Sequence, residues 1–118
     1  MSYLSAFRVV VESVEDACLL RVGGELDAAS APDLSMHLRG ASRDAGTTLV
    51  DLANVSFIDS AGLRVLLDES AAAAEIGHVV FVVRPSAVVR RLIDITDSSG
   101  ALAVVPASGD LSLLRGHA

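Results

Sequence analysis

The stretch Asn54-Val55-Ser56-Phe57-Ile58-Asp59-Ser60-Ala61-Gly62-Leu63 holds the residues whose types and spacing come nearest to chemistry. An extended apolar run feeds an acid–hydroxyl pair, Asp59-Ser60, which opens directly into a helix. The first turn of a helix carries N–H groups without intrahelical partners and a partial positive charge. A serine placed there can cap the helix or carry an anion, because helix starts receive phosphate well. Ala61 and Gly62 leave the surface around Ser60 flat and open to a macromolecule. The plainer reading is that Asp and Ser are common N-cap residues and only start the helix. Residue types alone favour this plainer reading.

A hydrolase is the sharper rival. Asp59-Ser60-Ala61-Gly62 resembles part of G-x-S-x-G, the strained turn that exposes a nucleophilic serine. That motif needs glycine where this chain has Ile58. His78 opens a strand and His117 lies near the end of the chain, so neither is placed to act as general base. We reject the hydrolase and expect no enzyme. Three scattered histidines and one cysteine give no metal-ligand spacing, and there is no G-x-G-x-x-G, so neither a metal nor another cofactor is expected.

The charge balance narrows the field further. The net charge is −6, and all nine basic residues are arginine. Without lysine there can be no P-loop, no Schiff-base chemistry and no lysine-assisted receiver site. An acidic surface also argues against direct contact with nucleic acid or an anionic membrane. Cys18, the single cysteine, sits in Ala17-Cys18-Leu19-Leu20 and reads as a buried, inert thiol. No apolar run approaches the ~18 residues that a membrane helix needs, and the start lacks a leader pattern. A cytoplasmic location is expected.

These residues must be positioned by a single domain spanning 1–118, with 52% apolar residues and only 3% aromatic ones. Such a composition builds a Leu/Val/Ile/Ala core of the α/β kind. Phe7–Val11 and Ala17–Val22 read as a hairpin joined by Glu12–Asp16, with Gly23-Gly24 ending the second strand and Glu25-Leu26-Asp27 opening a loop. Ser30 caps a helix with Pro32 in its first turn and Leu34, Leu38 and Ala41 as its apolar stripe; His37 lies beside that stripe. Thr47–Leu52 is a third strand, continued extended or turning to Ile58. A helix from Ser60 to Ile76 directs Leu63, Leu66, Leu67, Ala71 and Ala74 inward, with Gly77 at its C-terminal cap. Val79–Val83 reads as a central, doubly covered strand. A helix over Ala87–Ile95 directs Val88, Leu92 and Ile95 inward. Thr96–Gly100 is a polar loop, Leu102–Val105 a last strand and Asp110–Leu114 a final helical turn. Helices between strands require the strands to run parallel. The expected fold is α/β, a mixed but mostly parallel sheet of four to five strands flanked by helices.

Three segments together resemble the STAS domain family, and within it the bacterial anti-sigma factor antagonists. Gly24-Glu25-Leu26-Asp27 is similar to the family's G-E-L-D loop. Val50-Asp51-Leu52 through Phe57-Ile58-Asp59-Ser60-Ala61-Gly62-Leu63 is similar to its strand and phosphorylation motif. Val89-Arg90-Arg91-Leu92-Ile93-Asp94 is similar to the V-x-R-L segment of its later helix. The resemblance spans nearly the whole chain and makes the functional reading of Ser60 the favoured one. It implies binding to an anti-sigma factor that is also a serine kinase, so that a sigma factor is released and transcription regulated. The kinase then phosphorylates Ser60, the complex parts, and a serine phosphatase resets it. Carried over by position, Ser60 is the phosphoacceptor, Asp59, Ala61, Gly62 and Leu63 lie in the contact surface, and Asp27 lies beside it. A monomer or weak dimer is expected. Two places depart from the family pattern: Ala61, where many relatives have a second Ser or a Thr, and the longer polar loop Thr96–Gly100.

A phosphoserine adds about −1.5 to −2 charges. Beside Asp59 at an interface, like-charge juxtaposition can cost several kcal/mol, and about 1.4 kcal/mol is tenfold in affinity. The expected switch therefore acts at the surface, without refolding. Two rivals remain: an unphosphorylated STAS accessory module bound to a transporter or ABC-type ATPase, and a small-molecule or nucleotide binder, for which the chain offers no phosphate-cradling loop.

Overall fold

Val14 faces Ala17 across the tight turn that joins β1 (Arg8–Val14) to β2 (Ala17–Leu26), an antiparallel hairpin. The computed structural model describes residues 7–44 and 46–105. The link is shorter than the five residues expected, because β1 continues through Glu12, whose carboxylate holds Arg21 Nε at 2.9 Å. Glu15, at φ 56°, makes the turn with Asp16.

β2 does not end at its glycine pair. Gly23 and Gly24 lie inside the strand, opposite Asn54 and Val55 of β3 (Thr47–Ile58), and the strands stay paired to Leu26 and Ile58. Register slips on both sides of the pair make an irregular, bulged stretch. Gly24 sits at φ 90°, a conformation that a side chain strains, which is why glycine serves the bulge and does not stop the strand. The segment Ala53–Ile58 likewise completes a single 12-residue strand.

α1 (Ala31–Asp44) and α2 (Ser60–Glu75) follow β2 and β3; then come β4 (Val79–Val83), α3 (Ala87–Ile95) and β5 (Ala103–Val104). The sheet order is β1-β2-β3-β4-β5, with β1 antiparallel and the remaining pairs parallel. This is the expected mixed, mostly parallel sheet. The middle strand is β3, with β4 beside it; β4 is not doubly covered along its length as expected, since Val79 is exposed and Phe81 only half-buried. The three helices share one core with one face of the sheet: Leu20, Val22, Val50, Leu52, Val80 and Val82 meet Leu34, Leu38, Leu63, Leu66, Val89 and Ile93. A smaller cluster, Leu19, Leu49, Val83 and Val105 with half-buried Phe81, lies apart from it. Cys18 is half-buried against the main core.

Helix α1 buries Leu34, Leu38 and Ala41 as expected, with His37 half-buried beside them. Ser30 does not cap it forwards; its hydroxyl donates back to Glu25 O at 2.8 Å and accepts from the Asp27 N–H at 3.0 Å. In α2 the buried residues are Gly62, Leu63, Leu66 and Ala73, while Ala71 and Ala74 are exposed. Four consecutive alanines carry no amphipathic signal, so their orientation follows from the packing of the preceding turns. α3 is rotated from the expected stripe: Val89 and Ile93 are buried, Leu92 is half-buried, and Val88 and Ile95 are exposed. Ser86 explains the choice, since its hydroxyl donates to Val55 O at 2.7 Å and its N–H to Leu52 O at 3.1 Å, anchoring the helix start on β3.

Gly77 follows α2 at φ 80°, the left-handed residue that ends the helix. Asp110–Leu114 and His117 lie outside the described residues. No helix among the described residues is long and apolar enough to cross a membrane.

Candidate functional site

The last rung between β2 and β3 brings two loops together. Leu26 pairs with Ile58, and the Asp59 N–H then donates to Leu26 O at 3.2 Å, so Asp27 and Asp59 leave the sheet side by side. Asp59 is extended, at φ −120° and ψ −174°, and is the N-cap of α2. Its Oδ1 accepts from the N–H groups of Ala61 at 2.9 Å and Gly62 at 3.2 Å, and its carbonyl accepts from the Leu63 N–H at 3.0 Å. Two of the amides that a helix start leaves without partners are thereby satisfied.

This geometry divides the work of the acid–hydroxyl pair. Asp59 does the capping, and Ser60 is the first helical residue, exposed, with a hydroxyl that makes no hydrogen bond among the described residues. A side chain with no structural duty at an exposed helix start is chemically accessible and can be modified without cost to the cap.

Gly62 and Leu63 are not at the surface. Leu63 is a core residue, and Gly62 packs so closely on the β2 end that a Cβ there would stand 2.6 Å from both Leu26 Cγ and Leu26 O. The expectation that these two lie in a contact surface is therefore corrected: they hold the loop and Ser60 in place. Ala61 and Asp59 are half-buried.

Asp27 is half-buried too, with Oδ1 accepting from the N–H groups of Ala29 at 3.0 Å and Ser30 at 3.1 Å, and its carbonyl accepts from the Ala31 N–H at 2.8 Å. It braces the turn into α1 much as Asp59 braces α2. Exposed residues around these loops include Phe57, its cross-strand partner Glu25, and Arg64 one turn into α2. Glu25 and Phe57 lie in the segments whose resemblance is described above, and none of the three was a candidate site residue. An aromatic in so aromatic-poor a chain, three residues before Ser60, was the available signal for Phe57.

Among the described residues no histidine contacts Asp59 or Ser60. His78 is buried with Nε2 2.7 Å from Thr48 Oγ1, at the opposite end of β3 from Ser60. Among the described residues no three His, Cys, Asp or Glu side chains converge as a metal site. What remains is an exposed hydroxyl on a rigid platform, flanked by two carboxylates held in place by backbone amides.

Comparison with known proteins bears on this platform. The STAS domain family model matches residues 8–110. No curated protein sequence matches the chain. An anti-sigma factor antagonist from Mycobacterium paratuberculosis is 27% identical, with a TM-score of 0.80 over 98% of this chain and 99% of that one. The anti-sigma factor antagonist SpoIIAA in its unphosphorylated form, at 18% identity, superposes with a TM-score of 0.73 over 94% of this chain and 97% of its own. SLC26A9, at 19% identity, gives a TM-score of 0.75 over 90% of this chain but 20% of its own. The two latter likenesses are of fold.

Proposed function

The chain belongs to the STAS domain family, and from that premise we propose that it is an anti-sigma factor antagonist switched by phosphorylation at Ser60. It binds an anti-sigma factor that is also a serine kinase, in the cytoplasm, and so frees a sigma factor for transcription. The observation that carries the reading is Ser60 itself: exposed, without a hydroxyl hydrogen bond among the described residues, and seated immediately after an aspartate that already caps the helix. The full-length likeness to a solved anti-sigma factor antagonist at 27% identity supports it.

In the modification step the kinase transfers the γ-phosphoryl group of ATP to Ser60. A P–O bond forms at Oγ, the bond to the bridging oxygen breaks to leave ADP, and the hydroxyl proton passes to the kinase's base. A phosphatase reverses the state by hydrolysis with water. The fold accommodates the group because Oγ holds nothing in place. An interface does not, because about −1.5 to −2 charges would be desolvated beside Asp59, Asp27 and Glu25. Like-charge repulsion at the interface is the larger effect and separates the partners.

The test is to incubate the protein with its candidate kinase and Mg-ATP, map any phosphate, and measure binding. One phosphate at Ser60, binding retained by Ser60→Ala and lost by Ser60→Asp, is the expected result. Co-purification with a transporter or ABC-type ATPase, with no phosphate gained from any serine kinase, would replace this reading with that of an accessory module.

A further inference from the structure

We propose that Arg64 is the intramolecular counter-ion of phosphorylated Ser60, closing over the phosphate from one turn further along α2. The proposal rests on the reading of Ser60 as phosphoacceptor and adds the residue that receives the new charge.

The start of α2 has already committed two of its backbone donors. A phosphate at a helix N-terminus ordinarily takes up the first backbone N–H groups. Here the N–H groups of Ala61 and Gly62 are already bonded to Asp59 Oδ1. A phosphate on Ser60 is thus deprived of those donors and stands next to a carboxylate. It needs a cation.

Arg64 is placed to supply one. Residues four apart on a helix lie on the same face, about 5–6 Å apart at Cβ. Helical side chains lean towards the N-terminus, so a residue covers the turn that precedes it. From that position Arg64 can reach back to a phosphate on Ser60. The order also matters, because an anion four residues before a cation is the stronger arrangement. Arg64 is exposed and makes no ion pair among the described residues. Asp68, four residues on, lies on the unfavourable side of it, and no ion pair joins them. A guanidinium can grip phosphate oxygens through two parallel N–H donors.

The consequence for the switch is that phosphorylation changes two features at once. It adds negative charge at Ser60 and draws Arg64 out of solvent onto the phosphate, so the partner meets an altered pair of side chains.

The experiment uses full-length protein with phosphoserine installed at position 60 during synthesis, which needs no kinase. Phosphorus NMR at low salt reads the second ionisation of the phosphate in the wild type, Arg64→Gln and Arg64→Lys. The expected result is that Arg64→Gln raises the ionisation midpoint by about 0.3 pH units, the size of a helical charge pair, that Arg64→Lys largely restores it, and that molar salt abolishes the difference. The same midpoint in wild type and Arg64→Gln would overturn the pairing. That failure would leave kinase action at Ser60 intact, and absence of a kinase would leave the NMR result intact, so the two readings fail separately.

Discussion

Asp27 and Asp59 stand beside each other at the ends of adjacent parallel strands, each following one member of the Leu26–Ile58 pair, and each turns Oδ1 onto two backbone N–H groups. The arrangement fixes two loops and two helix starts by the same device. It also means that the negative charge flanking Ser60 belongs to the scaffold and cannot swing away when a phosphate is added.

Asp59→Ala should cost about 1 kcal/mol of stability, within the usual range for a lost N-cap, while Asp59→Asn keeps most of it. Urea denaturation of the three proteins checks this. An unchanged midpoint for Asp59→Ala would show that the cap contributes nothing.

Gly62→Ala should be more damaging, by about 1–3 kcal/mol, since the added methyl meets Leu26 Cγ and the Leu26 carbonyl oxygen at 2.6 Å. The carbonyl cannot move without disturbing the Asp59 N–H bond that it accepts. Thermal melting reads the effect directly.

Ser60→Ala and Ser60→Asp should both keep their stability within about 0.5 kcal/mol of wild type, because the residue is exposed and its hydroxyl makes no hydrogen bond among the described residues. This matters for the binding test. If Ser60→Asp loses its partner with its stability intact, the loss lies at the interface.

Thr48→Val should destabilise the fold by about 1–3 kcal/mol, as the buried ring nitrogen of His78 loses its 2.7 Å hydroxyl partner with little change in volume. Circular dichroism during denaturation reports it. A neutral outcome would mean that His78 is satisfied elsewhere.

Glu69 ties the two helices that rise from the site: Oε2 accepts from Ser35 Oγ at 2.8 Å and from Arg39 Nε at 3.0 Å. Glu69→Ala should cost about 1 kcal/mol, and Glu69→Gln, which keeps an acceptor for Ser35, should cost less.

The parts of the fold legible in the chain are those governed by short-range periodicity. Leu34, Leu38 and Ala41 repeat at helical spacing and are buried together; Val79–Val83 has no polar interruption and is an interior strand. The helix start at Asp59-Ser60 was legible for the same reason. Where several registers were equally apolar, periodicity pointed to the wrong one. Val88, Val89, Leu92, Ile93 and Ile95 offer two overlapping stripes, and the Ser86 anchor on β3 selects one. Gly23-Gly24 carries the composition of a strand end, and only pairing to Asn54 and Val55 makes it the middle of a strand.

For the site, the sequence by itself determined that a serine follows an aspartate at the mouth of a helix, because capping chemistry and helix propensity act over four or five residues. Only the tertiary structure decided that Asp59 caps, that Ser60 is left exposed, without a hydroxyl hydrogen bond among the described residues, and that Gly62 and Leu63 are supports beneath it. Those assignments depend on Leu26, more than thirty residues earlier in the chain, and no local pattern encodes a contact across that separation.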